Sequence, residues 1–252
     1  DSNPARWKGL LDKLLPAPGK VTKTTHFQAL PYTQLPVFME QLVGQDGMGA
    51  KALLFLILTA ARSGEVRGAI WEEVDLAARV WTIPAERMKA SKAHRVPLSD
   101  AAIALLQEMK ALALAAGRTT GKAYVFPSPN SRDPELGSQL SDMTLTAVLR
   151  RLKLEAVPHG FRSTFRDWCA EQTDYPNEVA EMALAHTVGN KVEAAYRRGD
   201  LLAKRQQLMQ DWADYAHGRR AENTTDGHSS APIASTRDNT ADQHNNTEGA
   251  MQ

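Results

Sequence analysis

The side chains best able to do chemistry in this chain are cationic and far apart in sequence. Arg62 ends a long apolar stretch, and an arginine delivered by so hydrophobic an element needs an anionic partner, because an unpaired interior charge is very costly. Glu65, three residues on and on the same helical face, is one such partner; a bound phosphate is the other. His159 and Arg162 form an H-x-x-R unit. A spacing of three places both on one helical face, and a helix beginning after Pro158 aims its first amides at the same spot, which suits a small anion such as phosphate. Arg87, Lys89, Lys92 and Arg95 follow one another with no acid among them, a pattern that serves a solvated loop or contacts to DNA phosphates and grooves. His186 follows the apolar residues 182–185 and lies ten residues before Tyr196, itself followed by Arg197 and Arg198. Tyr175 and Tyr215 compete as nucleophiles, yet only Tyr196 stands among cations, which favour a phenolate normally formed near a pKa of about 10.

The sequence offers no H-E-x-x-H unit, carboxylate cluster or Cys/His grouping to hold a metal, so phosphoryl chemistry here runs on cations and a protein nucleophile. Gly44, Gly47, Gly49 and Lys51 do not make a phosphate loop: Ala50 stands where the lysine is required, and no strand precedes the cluster.

Helices carry most of these residues. Leu35, Phe38, Met39 and Leu42 recur at three and four, the glycines from 44 to 49 interrupt, and a second helix follows that is apolar all round and so belongs at the centre of the domain. Between 70 and 98 the period changes, and Trp71–Leu76, Val80–Pro84 and His94–Leu98 read as three short antiparallel strands. Ser99 is an N-cap for a helix that faces the core with Ile103, Leu105, Leu106, Met109 and Leu112 and stops at Gly117. Further helices are expected near Ser141–Leu154, Gly160–Glu171, Pro176–Ala185, Lys191–Arg197 and Leu201–Ala216. The expected fold is mainly α with a small three-stranded antiparallel sheet.

With 252 residues, 42% hydrophobic and 23% charged, the chain can bury a core and is neither collagen-like nor wholly disordered. Its longest apolar run, residues 52–61, is half the roughly 20 residues that cross a bilayer. Cys169 is the only cysteine, which fits a reducing cytoplasm. The net charge of +1 hides two regions: residues 221–252 carry five acids against one base, net −4, and leave the rest at +5. Residues 218–252 are polar, lack aromatics and read as a disordered tail. Residues 1–24, with Trp7, Leu10, Leu11, Leu14 and Leu15 before Pro16, Pro18 and Gly19, read as the end of an upstream domain and a linker, which leaves 25–217 as the catalytic body.

In order along the chain, T-A-A-R-S-G-E around Arg62, K-A-S-K-A-H-R-V-P-L from Lys89, H-G-F-R from His159, L-A-H at His186 and A-A-Y-R-R at Tyr196 resemble the tyrosine recombinase (phage integrase) family, over about residues 33–216. The phrase N-K-V-E-A-A-Y-R-R is most similar to integrases of satellite prophages and genomic islands. The resemblance implies that family's catalytic-domain fold and site-specific cleavage and rejoining of DNA. Arg62 and Arg162 would hold the non-bridging oxygens of the scissile phosphate, and Tyr196 would attack to give a 3′-phosphotyrosyl link. Lys89, with Lys92 as the neighbouring alternative, would protonate the leaving 5′-oxygen. His159 would act as acid or base for the nucleophile, His186 would donate to the phosphate, and Glu65 would be the acidic buttress. Arg87, Lys92, Arg95 and Arg197 would contact DNA. No ATP, metal or other cofactor is implied. The implied partners are double-stranded attachment sites, a tetramer on DNA, host DNA-bending proteins and an excisionase, in a bacterial cytoplasm at the nucleoid and away from any membrane. Leu201, Leu202, Leu208, Met209 and Trp212 would pack either on their own domain or between protomers. Two departures stand out: Ala60 replaces a common glycine two residues before Arg62, and Ala185 one before His186. The rival readings are a type IB topoisomerase, a catalytically inactive DNA-binding module, and a metal-dependent nuclease, for which the carboxylates are lacking.

Overall fold

A computed structural model describes Asn3, Lys8 and residues 11–15, 28–186 and 199–219. The expected helix Lys191–Arg197, the linker from 16 to 24 and the polar tail from 220 onward lie outside the described residues. Helix α1 spans Leu35–Val43 and buries the four residues of its three-and-four pattern, Leu35, Phe38, Met39 and Leu42. Pro36 sits in its first turn, where no amide hydrogen is needed for the helical ladder. Helix α2, Met48–Thr59, opens at Gly47, whose φ of 98° suits glycine. Ala50, Ala52, Leu53 and residues 55–59 of α2 are buried. Each large apolar side chain among them contributes on the order of 2 kcal/mol by leaving water, so the later helices gather round this rod. Helix α3 is short, Ser63–Arg67.

The sheet has the order β1–β2–β3, with β1 at Val74–Asp75, β2 at Val80–Ile83 and β3 at His94–Pro97, all antiparallel. Its first strand is shorter than expected. Residues 71–73 form a 3-10 turn, because the amides of Trp71 and Glu72 donate to the carbonyls of Ala123 and Gly121 rather than to a strand. Helix α4, Asp100–Ala115, begins at Ser99, whose hydroxyl accepts from the Ala102 amide. It ends at a left-handed Gly117 with φ of 73°. Its buried stripe is Ala102, Leu105, Leu106, Met109 and Ala113; Leu112, expected in the core, is 52% exposed because the stripe passes through Ala113 instead.

Helices α5 (Thr144–Arg151), α6 (Gly160–Gln172), α7 (Asn177–Ala183) and α8 (Leu202–Ala216) complete the body. Within this chain α8 packs on its own domain: Leu208, Met209 and Trp212 are fully buried, and the Trp212 indole donates to the Ile57 carbonyl at 2.7 Å. Trp168 and Phe165 of α6 meet Trp212 at ring separations of 5.1 and 5.2 Å, which ties α6, the bearer of Arg162, to α8 and α2. At the start of α6 the chain from Gln28 to Leu30 crosses so closely that a Cβ on Gly160 would lie 2.1 Å from the Gln28 carbonyl oxygen, so only glycine fits between His159 and Phe161.

Candidate active site

Two left-handed alanines build the site. Ala60 closes α2 with φ 48° and ψ 26°, which swings the chain out of the helix and turns Arg62 into the residue that caps α3. Ala185, with φ 50°, does the same after α7 and delivers His186. These are the two positions at which the resemblance leads one to expect glycine. An alanine there carries a strain of roughly 1–2 kcal/mol that glycine does not.

Glu65 caps Arg62 twice over. Glu65 accepts from the Arg62 amide and from Arg62 Nη1, both at 2.8 Å. Glu65 is buried, whereas the Arg62 side chain is 24% exposed, so the carboxylate fixes the guanidinium from beneath and leaves its outer edge toward solvent. The sequence left Glu65 and a phosphate as alternative partners of Arg62; the geometry lets Glu65 serve while a second anion approaches from outside.

Arg162 lies in the first turn of α6 and is 4% exposed. Its Nη1 donates to the Ala60 carbonyl at 2.5 Å, and its Nη2 donates to the Leu184 carbonyl at 2.6 Å and to His186 Nε2 at 3.2 Å. Both carbonyls are leftovers of helix ends, α2 and α7, where the macrodipole is negative and a cation is favoured. Arg162 Nε is buried with no hydrogen-bond partner among the described residues. Burial, and then the charge of Arg62, lower the Arg162 guanidinium to about 10, while Glu65 and Glu181 oppose the shift. His159, just before α6, is held below its ordinary 6.5 by partial burial first, then by Arg162, Arg62 and His186. The charges of Arg162, Arg62 and His186 thus all act on His159, and Arg162 itself touches His186.

His186 Nδ1 lies 2.8 Å from Glu181 Oε2, and Glu181 Oε1 accepts from Arg166 Nε at 2.5 Å. Sequence reasoning missed both partners, since Glu181 stands five residues before His186, a spacing that no regular helix face brings together. It also missed His94 at the start of β3. Burial lowers that imidazole to about 4, with the charge of Arg205 next, and both Glu65 and Arg162 act on it.

The basic loop divides. Lys89 and Lys92 are exposed in the turn between β2 and β3, and neither makes a hydrogen bond or ion pair among the described residues. Arg87 differs from the expectation of a DNA contact: its Nη1 pairs with both oxygens of buried Glu73, and its Nη2 donates to the Glu65 carbonyl. The guanidinium is spent on bracing α3 against the sheet. Arg95 is likewise engaged, with Nε and Nη2 both donating to Asp200 at 2.8 Å, and buried Arg205 joins through Asp200 Oδ2 at 2.9 Å and the Arg95 carbonyl at 2.6 Å. Tyr196 and Arg197 lie outside the described residues. Of their rivals, the Tyr175 hydroxyl donates to Asp211 at 2.6 Å, and the Tyr215 hydroxyl to the Tyr32 carbonyl at 3.1 Å. Burial pushes both phenols up, which makes each a poor nucleophile.

Residues 32–201 match the phage integrase family. The chain belongs to that family. It is 38% identical over 185 residues to the prophage integrase IntA of Escherichia coli K12, covering 72% of this chain and 42% of the relative. To the integrase of enterobacteria phage P4 it is 33% identical over 235 residues, 85% of this chain and 49% of the relative. A crystal structure of XerA recombinase aligns with a TM-score of 0.49 at 15% identity, over 79% of this chain and 65% of that one. The chain thus spans about half the length of the curated relatives it matches. Among the described residues no helix is long and apolar enough to cross a membrane, and no group of three or more His, Cys, Asp or Glu is placed to hold a metal ion.

Proposed function

We propose that this chain is the catalytic part of a site-specific DNA recombinase that cuts and rejoins double-stranded attachment sites through a 3′-phosphotyrosyl intermediate. The reading is supported by three stretches of chain: Arg162 Nη2 lies 3.2 Å from His186 Nε2, the charges of Arg162 and Arg62 act on His159, and buried Arg162 Nε has no hydrogen-bond partner among the described residues. A phosphodiester that gains charge as a fifth oxygen closes on phosphorus is stabilised by cations already fixed in place. Arg62, steadied by Glu65, and Arg162 supply that charge. His159, whose imidazole is held below its ordinary range by burial and then by the neighbouring cations, is suited to take the proton of the attacking phenol, assigned to Tyr196. Lys89 on the exposed turn is the donor to the departing 5′-oxygen. The phosphotyrosyl bond keeps the energy of the cut bond for rejoining.

The same reading takes residues 25–217 as the catalytic domain, 1–24 as the end of a core-binding domain with its linker, and 218–252 as a polar tail. It also carries assembly as a tetramer on DNA, with host DNA-bending proteins and an excisionase as accessory partners and action at the bacterial nucleoid. The test is a nicked duplex suicide substrate incubated with the chain. Wild type should trap a covalent protein–DNA adduct that survives denaturation, in the presence of EDTA, and Tyr196→Phe should trap none. An undiminished adduct from Tyr196→Phe would falsify the assignment of the nucleophile.

A further inference from the structure

We propose that Glu181 is a positioning residue that locks the His186 imidazole in its Nδ1–H tautomer and so reserves Nε2 as the atom that exchanges a proton at the phosphate. The proposal rests on the recombinase reading and deepens it. The partners determine the tautomer. Arginine has only donors, so at the 3.2 Å contact with Arg162 Nη2 the His186 Nε2 must be the acceptor. A carboxylate has only acceptors, so at 2.8 Å from Glu181 Oε2 the His186 Nδ1 must carry the hydrogen.

Glu181 is itself held charged. Burial raises its carboxyl, but hydrogen bonds from Arg166 and His186 and the charge of both outweigh this and keep it below the usual 4.5. Arg166 donates Nε to Glu181 and Nη2 to the Asn177 side chain, so the carboxylate is pinned from α6 and cannot rotate away from His186. Among the described residues the charged or titratable groups acting here are Arg162 and Arg166 from α6, Glu181 from α7, His159 before α6, and Arg62 with Glu65 beside Arg162.

One consequence is mechanistic. A proton on Nε2 would face the Nη2 hydrogens of Arg162, so that contact and a protonated Nε2 exclude each other. When a phosphate oxygen takes over the Nη2 hydrogen that Nε2 accepts, with the guanidinium still anchored on the Ala60 and Leu184 carbonyls, Nε2 is freed and can carry one proton from solvent to the same phosphate while Nδ1–H stays on Glu181. Proton and charge balance: neutral imidazole plus a proton gives imidazolium, and donation restores the neutral ring.

The experiment uses the full chain labelled with nitrogen-15, with the His186 ring assigned by its loss in His186→Gln, and long-range proton–nitrogen correlation spectra recorded without DNA. Wild type should show hydrogen on Nδ1 and a bare Nε2, and Glu181→Leu should lose this single pattern. In the suicide-substrate assay Glu181→Leu should slow adduct formation by roughly tenfold to a hundredfold with duplex affinity unchanged. Glu181→Gln, which keeps the size but can satisfy only one of Arg166 and His186 with its single oxygen, should fall between; it stands in if the leucine variant does not fold. Hydrogen on Nε2 in wild type, or full-speed cleavage by both variants, overturns the proposal. A wild-type chain that shows the Nδ1–H ring yet traps no adduct overturns the recombinase reading, and the catalytic half of this proposal with it.

Discussion

Arg87 separates a brace from a DNA contact, and the two roles give opposite results on replacing it with methionine. In the structure the guanidinium neutralises Glu73, whose side chain is 5% exposed, and caps the Glu65 carbonyl. Arg87→Met keeps the aliphatic stem but leaves that carboxylate, among the described residues, with only the Trp81 indole, at 3.0 Å. Removing one partner of a buried pair costs about 3–5 kcal/mol. The Arg87 side chain is 25% exposed and Trp81 retains its bond, so the lower end applies, about 3 kcal/mol. For a body of this size that lowers the melting temperature by roughly 6–12 °C. Urea and thermal unfolding should show the loss, and Glu73→Gln combined with Arg87→Met should recover most of it, because the buried charge is then gone. Duplex binding measured across a salt series should keep its slope. If Arg87 instead met a backbone phosphate, the slope of log affinity against log salt would shrink by about 0.9 with stability untouched, and that result would refute the reasoning.

Arg162→Ala should reduce adduct formation on the suicide substrate far more than duplex affinity, and equal losses in both would recast it as a plain DNA contact. Ala60→Gly and Ala185→Gly should each stabilise the chain by about 0.5–1 kcal/mol, the left-handed strain less the entropy of glycine, as read from urea midpoints. A destabilised Ala185→Gly would mean that no strain is stored there. His94 has a folded value of about 4 against 6.5 unfolded, so the unfolded state takes the proton first as pH falls. Its contribution is whole above about pH 6.5 and declines down to pH 4. The wild type should therefore lose about 2 kcal/mol more than His94→Asn between pH 7.5 and pH 5, and parallel curves for the two would show that His94 is not held neutral.

Periodicity and punctuation made most of the scaffold legible. The all-apolar stretch after Gly47 could only be a central helix, and Ser99 and Gly117 bracket α4 where a cap and a stop belong. Arg62, Glu65, His159 and Arg162 were readable because they pair at three, within one helical turn. What escaped depends on chain returning from a distance. Arg87 and Arg95 look like free cations in sequence, since Glu73 and Asp200 are 14 and 105 residues away. Glu181 escaped because the left-handed Ala185 bends the five-residue gap to His186 into contact. The two alanines were noticed as departures from a common glycine, but only the backbone angles show that the glycine's work is done there at a cost.

Gly160 ties the entrance of the body to its chemistry. Val157 donates its amide to Gln28, and the Thr164 hydroxyl donates to Leu30 at 2.6 Å, so residues 28–30 are stitched on either side of the turn that carries His159 and Arg162. A displacement of residues 28–30 would therefore bear on the turn that carries those two side chains. Residues 28–30 are thus placed like a tendon inserted on that turn.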